Sequence, residues 1–306
     1  MITIPTTLVV GAGGSMAYMF PSGYHLLVKI CNFLNPGVDT NEKKILRSIG
    51  FEEDRLHWLR RDLLRSGVRS VDAFLERRVE LIHEGKAAIA CALIEHENPA
   101  YVVERQIEHN WYEYLWSCIA TPKPEELAKN QLSILTFNYD RSLEYYLFNA
   151  IRYTYGLTDD KARQLAASLP IIHLHGQLGK LKELFGKGRD FQPDRSIDAI
   201  KVAADGIIII HEADDGHETF MRAREKLASS GIICFLGFGY HPTNLRRLGI
   251  SKFQKPTLIG TVSGMTQQEI NQVVREIGRG FQLVGQDILT FLRESGVFIG
   301  GVGDRA

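Results

Sequence analysis

Apolar residues along this chain gather in short unbroken runs more often than in alternating ones. The runs are Thr6 to Val10, Leu132 to Thr136, Ile171 to Leu174, Ile207 to Ile210, Ile232 to Leu236, Thr257 to Gly260 and Val297 to Ile299. Bounded by Gly, Pro or polar residues, they have the pattern of strands covered on both faces, as in a parallel sheet. Between several of them the spacing changes to a helical period, over Arg141 to Tyr153, Glu218 to Ser229, Gln267 to Gly278 and Gln286 to Ser295. Strand and helix in alternation predict an α/β fold, a Rossmann-like and mostly parallel sheet with helices on both faces.

One interval breaks this rhythm. From Asp39 to Pro124 no run reads as a strand, and the segments LHWLRRDLLRSG, VDAFLERRVELIHEGKAAIACALIE and VERQIEHNWYEYLWSCI carry helical spacing. The predicted organisation is a discontinuous α/β domain over 1–38 and 125–306, with a helical insertion over 39–124 after the first α/β unit. Asp72 precedes an apolar periodic run and is suited to cap its helix. The arginines of the insertion (Arg55, Arg60, Arg61, Arg65, Arg77 and Arg78) are interleaved with acidic residues, which reads as solvated helix sides rather than an anion site.

Charge and cysteine usage narrow the picture. Thirty-six basic and 36 acidic residues cancel, which argues against a general nucleic-acid-binding surface or a polybasic membrane anchor. The start MITIPTTLVVGAGG has no basic stretch ahead of its short apolar run, so it reads as a first strand and not as a signal peptide. No segment has the apolar length to span a bilayer. Cys31, Cys91, Cys118 and Cys234 are scattered without a C-x-x-C pair, so zinc-ribbon spacing is missing. They are expected as small core residues of a protein in the reducing cytoplasm.

In open α/β sheets ligands bind beyond the carboxyl ends of the strands, and four polar or glycine-rich stretches stand at such positions. In VVGAGGSMAYMFPSG, Gly11, Gly13 and Gly14 follow the first strand and a helix begins near Pro21 and Ser22. Glycines permit a tight turn and a close approach of a pyrophosphate to helix-terminal amides. Met16, however, takes the place of the third glycine in G-x-G-x-x-G, and no acidic residue follows in a second strand, so the ordinary dehydrogenase fingerprint fails. In ILTFNYDRSLEYYL, Thr136, Asn138 and Asp140 crowd a strand exit, either as caps for the helix behind them or as ligand contacts. In PIIHLHGQLG one of His173 and His175 can reach the crevice while the other packs. His175 is nearer the strand end, and Gly176 keeps the backbone beside it unobstructed. In IICFLGFGYHPTNL, Gly237-Phe238-Gly239 closes a buried run, either as a simple turn or as small residues that admit a ligand to the backbone.

Taken in order, GAGGS, TFNYD, HLHG and LGFG resemble the SIR2 (sirtuin) superfamily. Its members carry a G-A-G-x-S loop, an N-x-D after a strand, an H-G and a small G-x-x turn in this sequence. The continuation to Pro21-Ser22-Gly23 and the tyrosine of N-Y-D are most similar to the bacterial SIR2-like branch of antiphage defence effectors, which destroy cellular NAD. The resemblance covers the α/β part of the chain and leaves the helical insertion unexplained. It implies an NAD+ hydrolase, with NAD as substrate and nicotinamide and ADP-ribose as products. Carried onto this chain, it makes Asn138 the residue that orients water at the ribose and His175 the general base. Asp140 and the Tyr139 backbone would contact the nicotinamide carboxamide. Gly11, Ala12, Gly13 and Ser15 would cradle the diphosphate and adjacent ribose; Gly237, Phe238 and Gly239 would face the adenosine side, and Thr261 would line the adenine pocket. The residue types suit these tasks. Histidine has an unperturbed pKa of about 6.5, and asparagine holds a water or a hydroxyl without titrating.

Deacetylating sirtuins bind a structural zinc through two C-x-x-C pairs that this chain lacks, so no zinc is expected and the acceptor shifts from acetyl-lysine toward water. The resemblance further implies a homo-oligomer, or regulation by a separate partner ATPase or sensor protein; from charge and apolar lengths, neither membrane nor direct nucleic-acid contact is expected. Three alternatives stand on the same scaffold: an NAD-dependent protein deacylase, an ADP-ribosyltransferase, and a non-catalytic sensor subunit that binds NAD or ADP-ribose.

Overall fold

A computed structural model describes residues 1–104, 106–209, 217–278 and 280–298. Its strands are β1 (Thr6–Val10), β2 (Leu132–Thr136), β3 (Ile171–His173), β4 (Ile232–Leu236), β5 (Thr257–Thr261) and β6 (Phe281–Val284). They form one six-stranded sheet in the order β3-β2-β1-β4-β5-β6, and every neighbouring pair is parallel. This is the Rossmann-like α/β architecture that the apolar runs predict. Val10 lies level with Thr136 on one side and Leu236 on the other, so β1, β2 and β4 end together.

The runs are continuous because each strand feeds two cores. Leu8, Ile134 and Cys234 pack on one face of the sheet, while Val9, Leu135 and Ile233 pack on the other. The first face is covered by helix Gly23–Phe33 and by helices of the 39–124 segment, among them Glu53–Arg65, Ile82–Ile94 and Trp111–Ile119. Every residue from Ala87 to Ile94 is buried, as expected of a helix that is apolar all round. The second face is covered by Glu218–Ala228, Pro242–Leu248 and Gln267–Ile277. Among its described residues the 39–124 segment contains helices and no strand. Its apolar side chains share one cluster with the sheet, so it forms part of the core.

Among the described residues, two of the predicted strands are not strands. Ile207 makes only an isolated antiparallel bridge to Gly176 and braces the turn there; Ile210 lies outside the described residues. Val297 and Phe298 are buried in a turn after helix Ile288–Ser295, and Ile299 lies outside the described residues. The sixth strand is instead β6, whose sequence FQLV is broken by an exposed Gln282 because it is an edge strand. The helix expected near Pro21 is Gly23–Phe33, where the Ser22 hydroxyl accepts from His25 N at 3.3 Å. A short 3-10 helix, Ala12–Tyr18, precedes it.

Several insertion arginines are engaged with neighbouring groups: Arg55 meets Glu84 at 2.7 Å, Arg78 meets Asp62 at 2.7 Å, and Arg60 donates to Cys31 O at 2.8 Å. Cys31, Cys91 and Cys234 are buried and Cys118 is partly so. Among the described residues no helix is long and apolar enough to cross a membrane.

Candidate active site

The strand order reverses between β1 and β4, and the two glycine loops meet at that point. Gly11 N donates to Leu236 O and Gly13 N to Gly237 O, each at 3.0 Å. A Cβ on Gly11 would stand 2.6 Å from Gly237 O, and one on Gly237 would stand 2.3 Å from Gly14 N. Gly237 also sits at φ +56, a left-handed conformation. At these positions the lack of a side chain therefore lets loop touch loop. Gly239 differs, since its Cβ would meet nothing within 4 Å. Thr261, expected on the adenine side, accepts from Gly237 N at 3.0 Å and so supports the second loop from β5. The first loop is held by the insertion: Trp111 Nε1 donates to Gly14 O at 2.8 Å, and Tyr112 N donates to the Tyr18 hydroxyl at 2.9 Å.

Beyond the strand ends lies a cavity of about 420 Å³. Of the predicted site residues, Gly11, Ala12, Asn138, His175, Phe238 and Gly239 line it. Gly13, Ser15, Tyr139, Asp140, Gly237 and Thr261 do not. Phe137 and the His241 turn complete the sides, and residues of the insertion between Gly67 and Arg77 form a roof. Roof and body are tied together by buried ion pairs. Glu76 Oε1 meets Arg247 Nη1 at 2.8 Å. Farther along, Glu97 binds Arg141 through both carboxylate oxygens, at 2.7 and 2.6 Å.

The N-Y-D turn divides its labour. Asn138 Nδ2 donates to Gly11 O at 3.0 Å and to Ser15 Oγ at 2.9 Å. A carbonyl can only accept, so Gly11 fixes which end of the amide is nitrogen. Asn138 Oδ1 remains as an acceptor at the cavity wall. Asp140 instead faces inward, accepting from Ser142 N at 3.1 Å and from the Ser142 hydroxyl. Burial pushes its carboxyl pKa up, against the lowering effect of Ser142 and Ser15. The Ser142 hydroxyl also meets the Tyr112 hydroxyl at 2.8 Å, which links Asp140 to the insertion. Asp140 thus holds the start of helix Ser142–Tyr155 and does not itself line the cavity. The Tyr139 side chain is buried, and its hydroxyl donates to Asp72 Oδ1.

The two histidines have different surroundings because β3 ends at His173. His173 Nδ1 lies 2.8 Å from Asn138 O, and Nε2 contacts the Glu144 carboxylate. Burial disfavours its charged form, but Glu144 and the Asn138 carbonyl outweigh burial and leave the pKa above the usual histidine value. His175 follows in the turn. Gly176 there has φ +71, and a Cβ would stand 2.2 Å from Gly206 O, so only glycine fits behind the histidine. The His175 ring is buried beside Phe137 and Phe220, with centroids 5.5 and 6.3 Å away. Its Nδ1 lies 3.8 Å from Asp72 Oδ1. Its Nε2 is buried without a hydrogen-bond partner among the described residues.

Asp72 is the residue that sequence reasoning misplaced. Ser70 caps helix Val71–Leu75, accepting from Ala73 N at 3.2 Å, which leaves Asp72 to face the cavity. Burial works against the Asp72 carboxylate, yet His175 and the Tyr139 hydroxyl hold its pKa below the usual value. A short polar residue ahead of an apolar run carries the signal of a cap, and nothing local separates the two roles. Together the wall brings an asparagine amide beside an imidazole that is set among aromatic rings and has a buried, unpartnered Nε2. Comparison with protein-family models and with curated proteins finds no match to this chain.

Proposed function

We propose that the chain is an NAD glycohydrolase, cleaving NAD to nicotinamide and ADP-ribose in the cavity at the carboxyl ends of β1, β2 and β4. The observation that carries this reading is the pairing of Asn138 and His175 on one wall. One offers an acceptor that does not titrate, the other a ring whose Nε2 is buried without a partner in a largely aromatic surround. The volume, about 420 Å³, is within the range of about 300–1,000 Å³ usual for small-molecule sites. In the reaction, water oxygen forms a bond to ribose C1′ as the bond from C1′ to the pyridinium nitrogen breaks. The electron pair stays on that nitrogen, so nicotinamide leaves neutral and no strong acid is needed. The proton lost by water passes to His175, a base whose type suits neutral pH. Asn138 Oδ1 holds the water or a ribose hydroxyl in line. The glycine loop adds backbone groups beside the diphosphate. The sequence resemblance extends the reading to NAD depletion in antiphage defence, by a cytoplasmic homo-oligomer or with a separate ATPase or sensor.

The test follows nicotinamide release from NAD by the purified chain, beside His175→Ala and Asn138→Ala variants shown to be folded. Release by the parent and by neither variant is expected. Release that requires an acylated peptide would move the assignment to a deacylase, and labelling of protein would move it to a transferase. Binding of NAD without turnover would favour a sensor, and a folded parent that binds no NAD would remove the basis of the reading.

A further inference from the structure

We propose that Asp72, supplied by the insertion, is a positioning residue for His175, keeping the ring proton on Nδ1 so that Nε2 receives the proton from water. The proposal rests on the hydrolase reading above and assigns the atoms within it. Several observations converge on this carboxylate. It stands 3.8 Å from Nδ1, the nitrogen on the side away from the unpartnered Nε2. That distance exceeds a hydrogen bond, but such contacts are often long without substrate and tighten when it binds. The carboxylate is itself oriented by the Tyr139 hydroxyl, from the same N-Y-D turn that presents Asn138. Finally, Ser70 already fills the N-cap of helix Val71–Leu75, so Asp72 is not needed as that cap.

The chemistry decides between tautomers. A neutral imidazole has one proton and one lone pair. With the proton on Nδ1, the N–H points at a carboxylate and the lone pair on Nε2 is free to accept. The opposite tautomer sets the Nδ1 lone pair against the Asp72 carboxylate and leaves Nε2 unable to act as base. When water adds to ribose C1′, its proton moves to Nε2, and Asp72 faces the resulting imidazolium. Release of that proton to solvent restores the starting state. Because Asp72 belongs to the roof, the base is set correctly only when the insertion is docked over the strand ends.

The tautomer can be read without turnover. Nitrogen-15 NMR of the imidazole groups at alkaline pH, with the His175 signal assigned by its loss in His175→Ala, is expected to show the Nδ1–H form in the parent. Asp72→Ala should shift that signal toward the Nε2–H form. In the NAD assay, Asp72→Ala and the size-conserving Asp72→Asn should each lower kcat on the order of 10²-fold, with KM for NAD little changed. Thr40→Ala, which removes a helix cap elsewhere in the insertion, should leave both readouts at parent values. An Nε2–H or doubly protonated ring in the parent overturns the proposal. So does an Asp72 variant that raises KM alone, which would make Asp72 a wall residue. A parent with the Nδ1–H ring but no hydrolysis would instead count against the hydrolase reading and leave the geometry of the pair standing.

Discussion

His173 ends β3 and His175 stands in the turn that follows, yet their surroundings demand opposite things of them. Around His173 both ring nitrogens are occupied, one by the Asn138 carbonyl and the other by the Glu144 carboxylate. Around His175 the Asp72 carboxylate is 3.8 Å away and Nε2 has no partner among the described residues. A saturated buried polar group is part of the scaffold; one left unsaturated costs stability and is retained where something else depends on it. The two sites are coupled through the backbone, since His173 holds the carbonyl of the residue whose amide lines the cavity. His173 braces the N-Y-D turn, and His175 lines the cavity beside it.

Substitution should separate the two most sharply. His175→Ala is expected to lower nicotinamide release by about 10²–10⁴-fold, the usual worth of a general base. Its unfolding midpoint should fall less than that of His173→Ala, because the change removes the packing of a buried ring but no hydrogen bond through Nε2. His173→Ala should do the reverse first, destabilising the fold by about 3–5 kcal/mol because it leaves the Glu144 carboxylate buried without its partner. Urea unfolding followed by circular dichroism, beside the NAD assay, measures both axes. Equal loss of stability in the two variants would erase the distinction.

A weaker effect, in pH, sharpens the comparison. Against the opposing effect of burial, His173 has its pKa raised by the Glu144 carboxylate and the Asn138 carbonyl, so the folded chain binds this proton more tightly than the unfolded chain does. Its contribution is fully present below about pH 6.5, the unfolded value, and is lost as pH rises through the higher folded value. The stability difference between the parent and His173→Ala should therefore shrink from acid to alkaline pH. Urea midpoints for both, measured across that range, would show it; a difference that widens toward alkaline pH would contradict the charged pairing.

Much of this arrangement was legible from the chain, and the gaps have physical causes. Unbroken apolar runs predict β1, β2, β4 and β5 because a strand buried on both faces needs no polar side. The edge strand β6 has such a side at Gln282 and lacks that pattern, while the run that begins at Ile207 has it yet, among its described residues, supplies only a bridge behind Gly176. Asn138 and His175 are legible as cavity residues because they follow strand ends, where the crevice of an open α/β sheet lies. Asp72 and Glu97 do not stand out, since their partners come from distant parts of the chain and local pattern holds no record of them. The glycines were legible as necessary but not as to why. Small residues that admit a ligand and small residues that admit another loop have the same sequence.

Gly237 and Gly239 test that last ambiguity, and with it the contrast between filled and open surroundings. Gly237→Ala forces a side chain into a left-handed conformation, costing about 1–3 kcal/mol, and drives its Cβ to 2.3 Å from Gly14 N. The two loops must then part, and because Asn138 is anchored on Gly11 O, the wall of the cavity moves with them. Gly239→Ala adds a methyl where nothing lies within 4 Å and where the cavity is lined. Its stability should stay within about 0.5 kcal/mol of the parent, as for a substitution that breaks no packing, while the methyl weakens NAD binding by standing in the space the ligand would use. Thermal midpoints and NAD titration of both variants separate the cases. If Gly239→Ala proved the less stable, or Gly237→Ala bound NAD as the parent does, the division between loop-joining and ligand-facing glycines would not stand.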